Sequence, residues 1–266
     1  MSIEIINKIK AKNIKAAVFD FDGTISTLRC GWEEVMAPIF YREINGSHAD
    51  DKNLKAEIAR YIDESTGIQT VFQMRRLAEW VKEYGRNPVV RGEWEYKDIY
   101  NQALLEGVNK KIEGIKTGKL NANDYVIKGS REFLSELKKR GLKLFVASGT
   151  DDRDVKNECG ILGFAPYFDK VMGAPYRKAD CSKEAILREL IHNSGYKPSE
   201  LVVFGDGKVE ITLAKEAGAA AIGLATDEKA RQGINPVKRE KLIKVGADII
   251  TGDFLKTDEL LKAISF

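Results

Sequence analysis

Two aspartates one residue apart, Asp20 and Asp22, close the apolar run of AAVFDFDGTIS (Ala16–Ser26), and Gly23-Thr24 follow them. Carboxylates taken out of water without a partner cost several kcal/mol or lose their charge. The pair therefore marks either a solvated turn or a place where positive charge gathers.

Similar polar endings recur along the chain. One apolar run ends in Ser148-Gly149-Thr150, and another in Gly205-Asp206-Gly207 with Glu210 four residues after Asp206. Lys183 stands just before a helical pattern. In open parallel sheets ligands bind beyond the carboxyl ends of the strands, so these segments converge on one edge. Asp20, Asp206 and Glu210 crowd together and need compensation. A hard divalent cation with oxygen ligands supplies it, and Mg²⁺ accepts one or two carboxylates, a backbone carbonyl and waters. Ser148 and the backbone N–H groups near Gly23 and Gly149 offer donors to an anion. With the Lys183 ammonium, the set describes phosphoryl transfer to an aspartate nucleophile.

The elements that must position these groups are legible from periodicity. Short β-rich runs at 15–20, 142–148, 170–174, 201–206, 219–225 and 247–250 alternate with helical patterns such as 130–141 and 182–195. This alternation predicts a doubly wound, Rossmann-like α/β core with a parallel sheet covered on both faces. Gly141, Gly195 and Gly218 fit helix C-caps before a following strand. From Leu28 to Lys128 the periodicity is helical, and Pro38 is expected to interrupt the first helix there. An insertion of that length is too long for a crossover loop, so it is expected to form an all-α cap. The expected division is 1–27 with 129–266 as core and 28–128 as cap, hinged after Ser26 and near 121–129.

Composition narrows the function classes. Lys and Arg number 43 against 40 Asp and Glu, without a basic tract or patch, so neither nucleic acid nor a membrane surface is expected as a partner. The N-terminus lacks an apolar targeting core, no run reaches the ~18 apolar residues of a spanning helix, and the expected location is the cytoplasm. Cys30, Cys159 and Cys181 show no metal spacing and read as reduced thiols. His48 and His192 are isolated and read as structural or surface residues.

VFDFDGTIS (18–26), VASGT (146–150), Lys183 at a helix start and VVFGDGKVEITLAKEAG (202–218) together resemble the four motifs of the haloacid dehalogenase-like hydrolase superfamily, in particular its phosphoglycolate-phosphatase-like members with helical caps. The resemblance covers essentially the whole core, and the cap only in position and helical character. It implies that Asp20 is the nucleophile and a Mg²⁺ ligand. Asp22 would be the general acid and then the base, its carbonyl also on the metal. Gly23, Thr24, Ser148 and Gly149 would line the phosphoryl group, Lys183 would pair with the nucleophile, and Asp206 and Glu210 would complete the metal site. Two departures stand out: glutamate at 210 where many members have aspartate, and a third motif, CSKEAIL, with Lys178 competing with Lys183.

An acid at position 22 favours phosphate esters over carbon–halogen bonds, since a halide leaves without a proton. The implied activity is a Mg²⁺-dependent phosphatase of a small phosphorylated metabolite, a sugar phosphate among the candidates. A phosphomutase with the same core chemistry and a non-catalytic phospho-ligand sensor are the rival readings. In the cap, Gln69, Gln73 and Arg76 share a helix face: it either looks on the substrate, with Arg76 meeting a second anionic group, or is a solvated face of a packed helix. Arg29 and Trp32 are further candidates for the cleft.

Overall fold

The structure is a computed structural model that describes residues 3–9, 13–175, 177, 183–193 and 195–264; the side chains of Lys183, His192 and Asn193 lie outside that description. In chain order, strands β1 (Ile3–Ile5) and β2 (Ala16–Phe19) precede helices α1 (Trp32–Asn45), α2 (Lys52–Glu64), α3 (Thr70–Tyr84) and α4 (Glu93–Lys116). Then follow α5 (Ser130–Lys139), β3 (Lys143–Asp151), α6 (Asp152–Ile161) and β4 (Lys170–Ala174). The chain continues through α7 (Lys183–Asn193), β5 (Leu201–Gly205), α8 (Lys208–Ala217) and β6 (Ala220–Leu224). It closes with α9 (Pro236–Lys244), β7 (Ile249–Thr251) and α10 (Thr257–Ala263).

The strands form one sheet in the order β1-β7-β6-β5-β2-β3-β4, parallel from β7 to β4. Alternation along each strand feeds two cores. Ala17 and Phe19 of β2 join Phe133, Leu137, Val155 and Phe204 on one face, while Ala16 and Val18 join Leu187, Val203 and Ile211 on the other. Helices α5, α6 and α10 contribute to the first core and α7, α8 and α9 to the second. Phe19 stacks on Phe204 with centroids 4.5 Å apart, which locks β2 to β5 in the middle of the sheet. The order in which strands are added reverses between β2 and β5, the switch point at which such sheets leave a crevice.

Three expectations change. The sheet is parallel except for β1, which pairs antiparallel with β7. A three-residue edge strand has too little alternation to read, and its Glu4 is held from outside by Arg239, Nε 2.8 Å from Oε2. Pro38 lies inside α1 without ending it; Met36, Ile39, Phe40 and Ile44 are buried on that helix, and their packing offsets the lost backbone bond. The third change concerns the division of the chain. The compact units are Met1–Cys30 with Gly114–Phe266, and Gly31–Glu113, narrower than the 28–128 expected. The expected hinges pair with each other inside the core unit. Thr27 N–H donates to Tyr125 O at 2.9 Å, and Ile127 N–H to Ile25 O at 3.0 Å. Ile25, Leu28, Val126 and Ile127 are buried with Phe19 and Phe21 in one core, so these segments belong to the sheet's unit.

In the helical unit, Leu54, Ile58 and Ile62 of α2 recur every fourth residue and are buried, as are Val71, Met74, Leu77 and Val81 of α3. Trp80 meets Phe40 and Tyr61, with centroids 6.3 and 5.2 Å away.

One partly buried carboxylate, Asp169 in the loop before β4, ties that loop to the start of β3 and to α5. Asp169 accepts from Lys143 Nζ at 2.9 Å, Lys138 Nζ at 3.0 Å and Leu144 N–H at 2.9 Å. Partial burial raises its pKa, but these donors outweigh it and hold the carboxyl down at about 2. A carboxyl lowered in the folded state stabilises it above the unfolded pKa of about 4, and the benefit is lost as pH falls through about 2. Asp169→Asn should therefore lower the urea midpoint at neutral pH and flatten its decline in acid. An equal wild-type-to-variant difference at neutral pH and at about pH 2 would rule this out.

Candidate active site

The C-terminal ends of β2, β3 and β5, neighbours in the sheet, carry the expected residues. Phe19 pairs in register with Val146 on one side and Phe204 on the other. Asp20 follows immediately; its backbone N–H donates to Phe204 O at 2.9 Å, and its side chain is buried. Asp22, partly buried, accepts at Oδ2 from the Thr150 hydroxyl at 2.8 Å and from Ser148 Oγ at 3.5 Å. Its Oδ1 is buried and has no hydrogen-bond partner among the described residues. Thr24 is fully buried, and its hydroxyl has no partner among the described residues.

Glycines bring these backbones within reach of the carboxylates. Gly23 takes φ of +76°, and a Cβ there would lie 2.2 Å from Asp206 Oδ2. No side chain fits between the first motif and Asp206. Gly205 plays the same part for Glu210, whose Cβ and Cγ would each lie 2.6 Å from an added Cβ. Glu210, in the first turn of α8, is thus fully buried over the end of β5. Asp206 is held from a fourth segment: Lys238 of α9 places Nζ 2.7 Å from its Oδ2 and 2.5 Å from Glu228 Oε1. Burial works against the ammonium charge, but the two carboxylates overcome it and raise the Lys238 pKa.

A family model described as a haloacid dehalogenase-like hydrolase matches residues 14–218, most of the chain. The chain belongs to the haloacid dehalogenase-like hydrolases. Among characterised proteins it is 23% identical over 241 residues to the enolase-phosphatase E1 of Aquifex aeolicus, covering 84% of this chain and 93% of that protein. It is 26% identical over 180 residues to a phosphorylated carbohydrates phosphatase of Thermotoga maritima, covering 68% of this chain and 81% of that protein. Among solved structures, a β-phosphoglucomutase of Clostridium difficile superposes with a TM-score of 0.63 at 18% identity, over 94% of this chain and 97% of that one. The fold it shares with that structure is the Rossmann-like core with a helical insertion.

Other expected residues of this haloacid dehalogenase-like hydrolase lie on helices or within a strand. Lys183 opens α7, but its side chain, like Lys178, lies outside the described residues. Gly149 continues β3 rather than ending it, since the strand runs to Asp151. Arg76 is committed within its own helix: Nη1 pairs with Glu79 at 2.9 Å and with Glu83 at 3.0 Å, and the guanidinium lies over Trp80. Gln69 and Gln73 on the same face are buried, with Gln73 Nε2 donating to Ser65 Oγ at 3.0 Å.

Arg29, a cleft candidate by sequence, forms a buried fork on Glu158, with Nη2 to Oε1 at 2.6 Å and Nε to Oε1 at 3.0 Å, and reaches Asp154 at 3.5 Å. Burial opposes its charge, yet Glu158, Asp22 and Asp154 together raise its pKa. Burial also pushes the Glu158 carboxyl up, against the pull of Arg29. Cys159 is buried in the core, where desolvation pushes its thiol up to about 12 and removes it as a nucleophile. Cys181 lies outside the described residues. Among the described residues, no helix is long and apolar enough to cross a membrane.

Sequence reasoning missed Thr150, Lys238 and Glu228. Thr150 had a signal: it stands two residues after Ser148, and on a strand that places both side chains on one face. Lys238 and Glu228 had none, because their relation to Asp206 exists only in the folded chain.

Proposed function

We propose that this hydrolase is a Mg²⁺-dependent phosphatase of a small phosphorylated metabolite, with sugar phosphates the first class to test. A phosphoric monoester hydrolase agrees with the names of the characterised relatives, an enolase-phosphatase and a phosphatase of phosphorylated carbohydrates. The observation that carries the reading is Asp22. One carboxylate oxygen is held by the Thr150 hydroxyl while the other, buried Oδ1, has no hydrogen-bond partner among the described residues and is the atom at which a proton can be held and delivered.

The residues fit a cation. Among the described residues no group of three His, Cys, Asp or Glu side chains closes on one point. Mg²⁺ needs fewer, since it keeps waters and takes one or two carboxylates with other oxygens. The cradle at Gly23, which admits Asp206 where a Cβ would stand, brings such oxygens together. Asp20, Asp206 and the Asp22 carbonyl would hold Mg²⁺, with Glu210 reaching it directly or through water, and the ion would offset negative charge between nucleophile and phosphoryl oxygens.

Asp20 Oδ attacks phosphorus, and the bond from phosphorus to the ester oxygen breaks as Asp22 gives that oxygen its proton. Asp22 then takes a proton from water, which attacks the same phosphorus, releasing phosphate and restoring the Asp20 carboxylate. The Thr24 and Ser148 hydroxyls and the N–H groups at Gly23 and Gly149 orient the phosphoryl oxygens, and the family resemblance gives Lys183 the charge opposite the nucleophile.

Phosphate release from a panel of small phosphate esters, with Mg²⁺ and with EDTA, tests this. Release that requires Mg²⁺ is the expected result, and its ranking across esters names the substrate class. No release from any ester by folded protein would remove the phosphatase reading. A sugar phosphate isomerised only in the presence of a bisphosphate, with no net phosphate, would mark a phosphomutase instead.

A further inference from the structure

We infer that Lys238 is a positioning residue that sets the Asp206 carboxylate for the cation, with Glu228 anchoring the ammonium and cancelling its charge. This rests on the Mg²⁺ reading above.

Lys238 is itself well placed. It lies in the first turn of α9, where the Asn235 side chain caps the helix by accepting from Val237 N–H at 3.0 Å and Lys238 N–H at 3.1 Å. Asn235 N–H in turn donates to Ala225 O at 2.7 Å, just past the end of β6. The base of the side chain is therefore tied to the sheet beside β5, whose end carries Asp206. The ammonium then spans two carboxylates, at 2.7 Å from Asp206 Oδ2 and 2.5 Å from Glu228 Oε1. All three side chains are largely buried, at 22% exposure for Lys238, 14% for Asp206 and 20% for Glu228.

Asp206 Oδ2 is bounded on one side by the Gly23 backbone and on another by this ammonium. A carboxylate pinned at one oxygen cannot rotate freely, and the other oxygen, Oδ1, is presented in one direction. Partners of this kind orient metal ligands, and their loss typically costs about 10–100-fold in metal affinity. Glu228 answers the electrostatic objection. A lone ammonium beside the site would repel a divalent cation, whereas a paired one adds no net charge.

The competing possibility is that Lys238 merely takes the cation's place on Asp206. The two differ in sign. Mg²⁺ affinity, measured by titration calorimetry in phosphate-free buffer, separates them with Lys238→Met, Lys238→Arg and the double variant Lys238→Met/Glu228→Gln. The double variant keeps the local net charge of the wild type and removes only the orienting contact. Both Met-containing proteins should bind Mg²⁺ about 10–100-fold more weakly than wild type, with Lys238→Arg largely restoring it. Melting temperatures in EDTA confirm that each variant is folded. Wild-type or tighter binding by the double variant would overturn the inference and leave the Mg²⁺ reading standing. A wild type that binds no Mg²⁺ would overturn both, and is seen before any variant is made.

Discussion

Asp20→Asn should abolish phosphate release, by about 10⁴- to 10⁶-fold, the loss seen when a covalent nucleophile or its partner is removed. Asparagine keeps the size and the buried place at the end of β2 but cannot attack phosphorus. Asp22→Asn should cost less, about 10²–10⁴-fold, the usual share of general acid–base catalysis. Its signature is a dependence on the leaving group. An alkyl ester needs a proton on its departing oxygen, whereas a nitrophenyl ester leaves as a stable anion. With the nitrophenyl ester the Asp22 variant should therefore release one equivalent of phenolate quickly and then stall, because water is no longer activated. A variant at Asp22 that loses alkyl and nitrophenyl esters equally, with no burst, would remove the acid/base assignment. Wild-type turnover by the Asp20 variant would remove the nucleophile.

Arg29→Met should destabilise the fold by about 3–5 kcal/mol, because it strands a buried carboxylate. Glu158 is 1% exposed and its charge is balanced by the Arg29 fork, with Asp154 at the edge. Removing the arginine leaves Glu158 to be buried charged or to bind a proton, and either costs stability. Replacing both partners by apolar side chains of similar volume should recover most of the loss. Equilibrium urea unfolding of both single variants and of Arg29→Met/Glu158→Met checks this as a double-mutant cycle. Costs that simply add would show that the two side chains are energetically independent. The pair also matters locally: α6, which carries Glu158 and Asp154, starts directly after the strand that presents Ser148 and Thr150. A loosened α6 would disturb the hydroxyls on Asp22.

The alternation of strand and helix, and polar residues at strand ends, were readable because both are local. A strand shows itself in a period of two and a helix in 3.6, so Asp20, Asp22 and Asp206 could be assigned to the end of their runs before any fold was known, whereas the run of Ser148 continues to Asp151. The crevice follows from the fold class, which predicts where parallel strands leave their ends. Local patterns stop there. Nothing in the interval from 28 to 128 distinguishes residues that pack on the sheet from those that do not; the backbone pairing of 25–27 with 125–127 is formed between segments a hundred residues apart. Arg76 illustrates the same limit on a helix: its spacing allows either a substrate-facing or a solvated face, and in the folded helix it pairs with Glu79 and Glu83.

The amino-acid sequence was sufficient for the family and its class of chemistry, because the motifs that carry the resemblance are polar residue types set at the ends of apolar runs. Tertiary structure alone decided what governs those groups. The Thr150 hydroxyl on Asp22 comes from 128 residues away and the Lys238 ammonium on Asp206 from 32, and such pairings are set by how strands and helices pack rather than by any spacing along the chain.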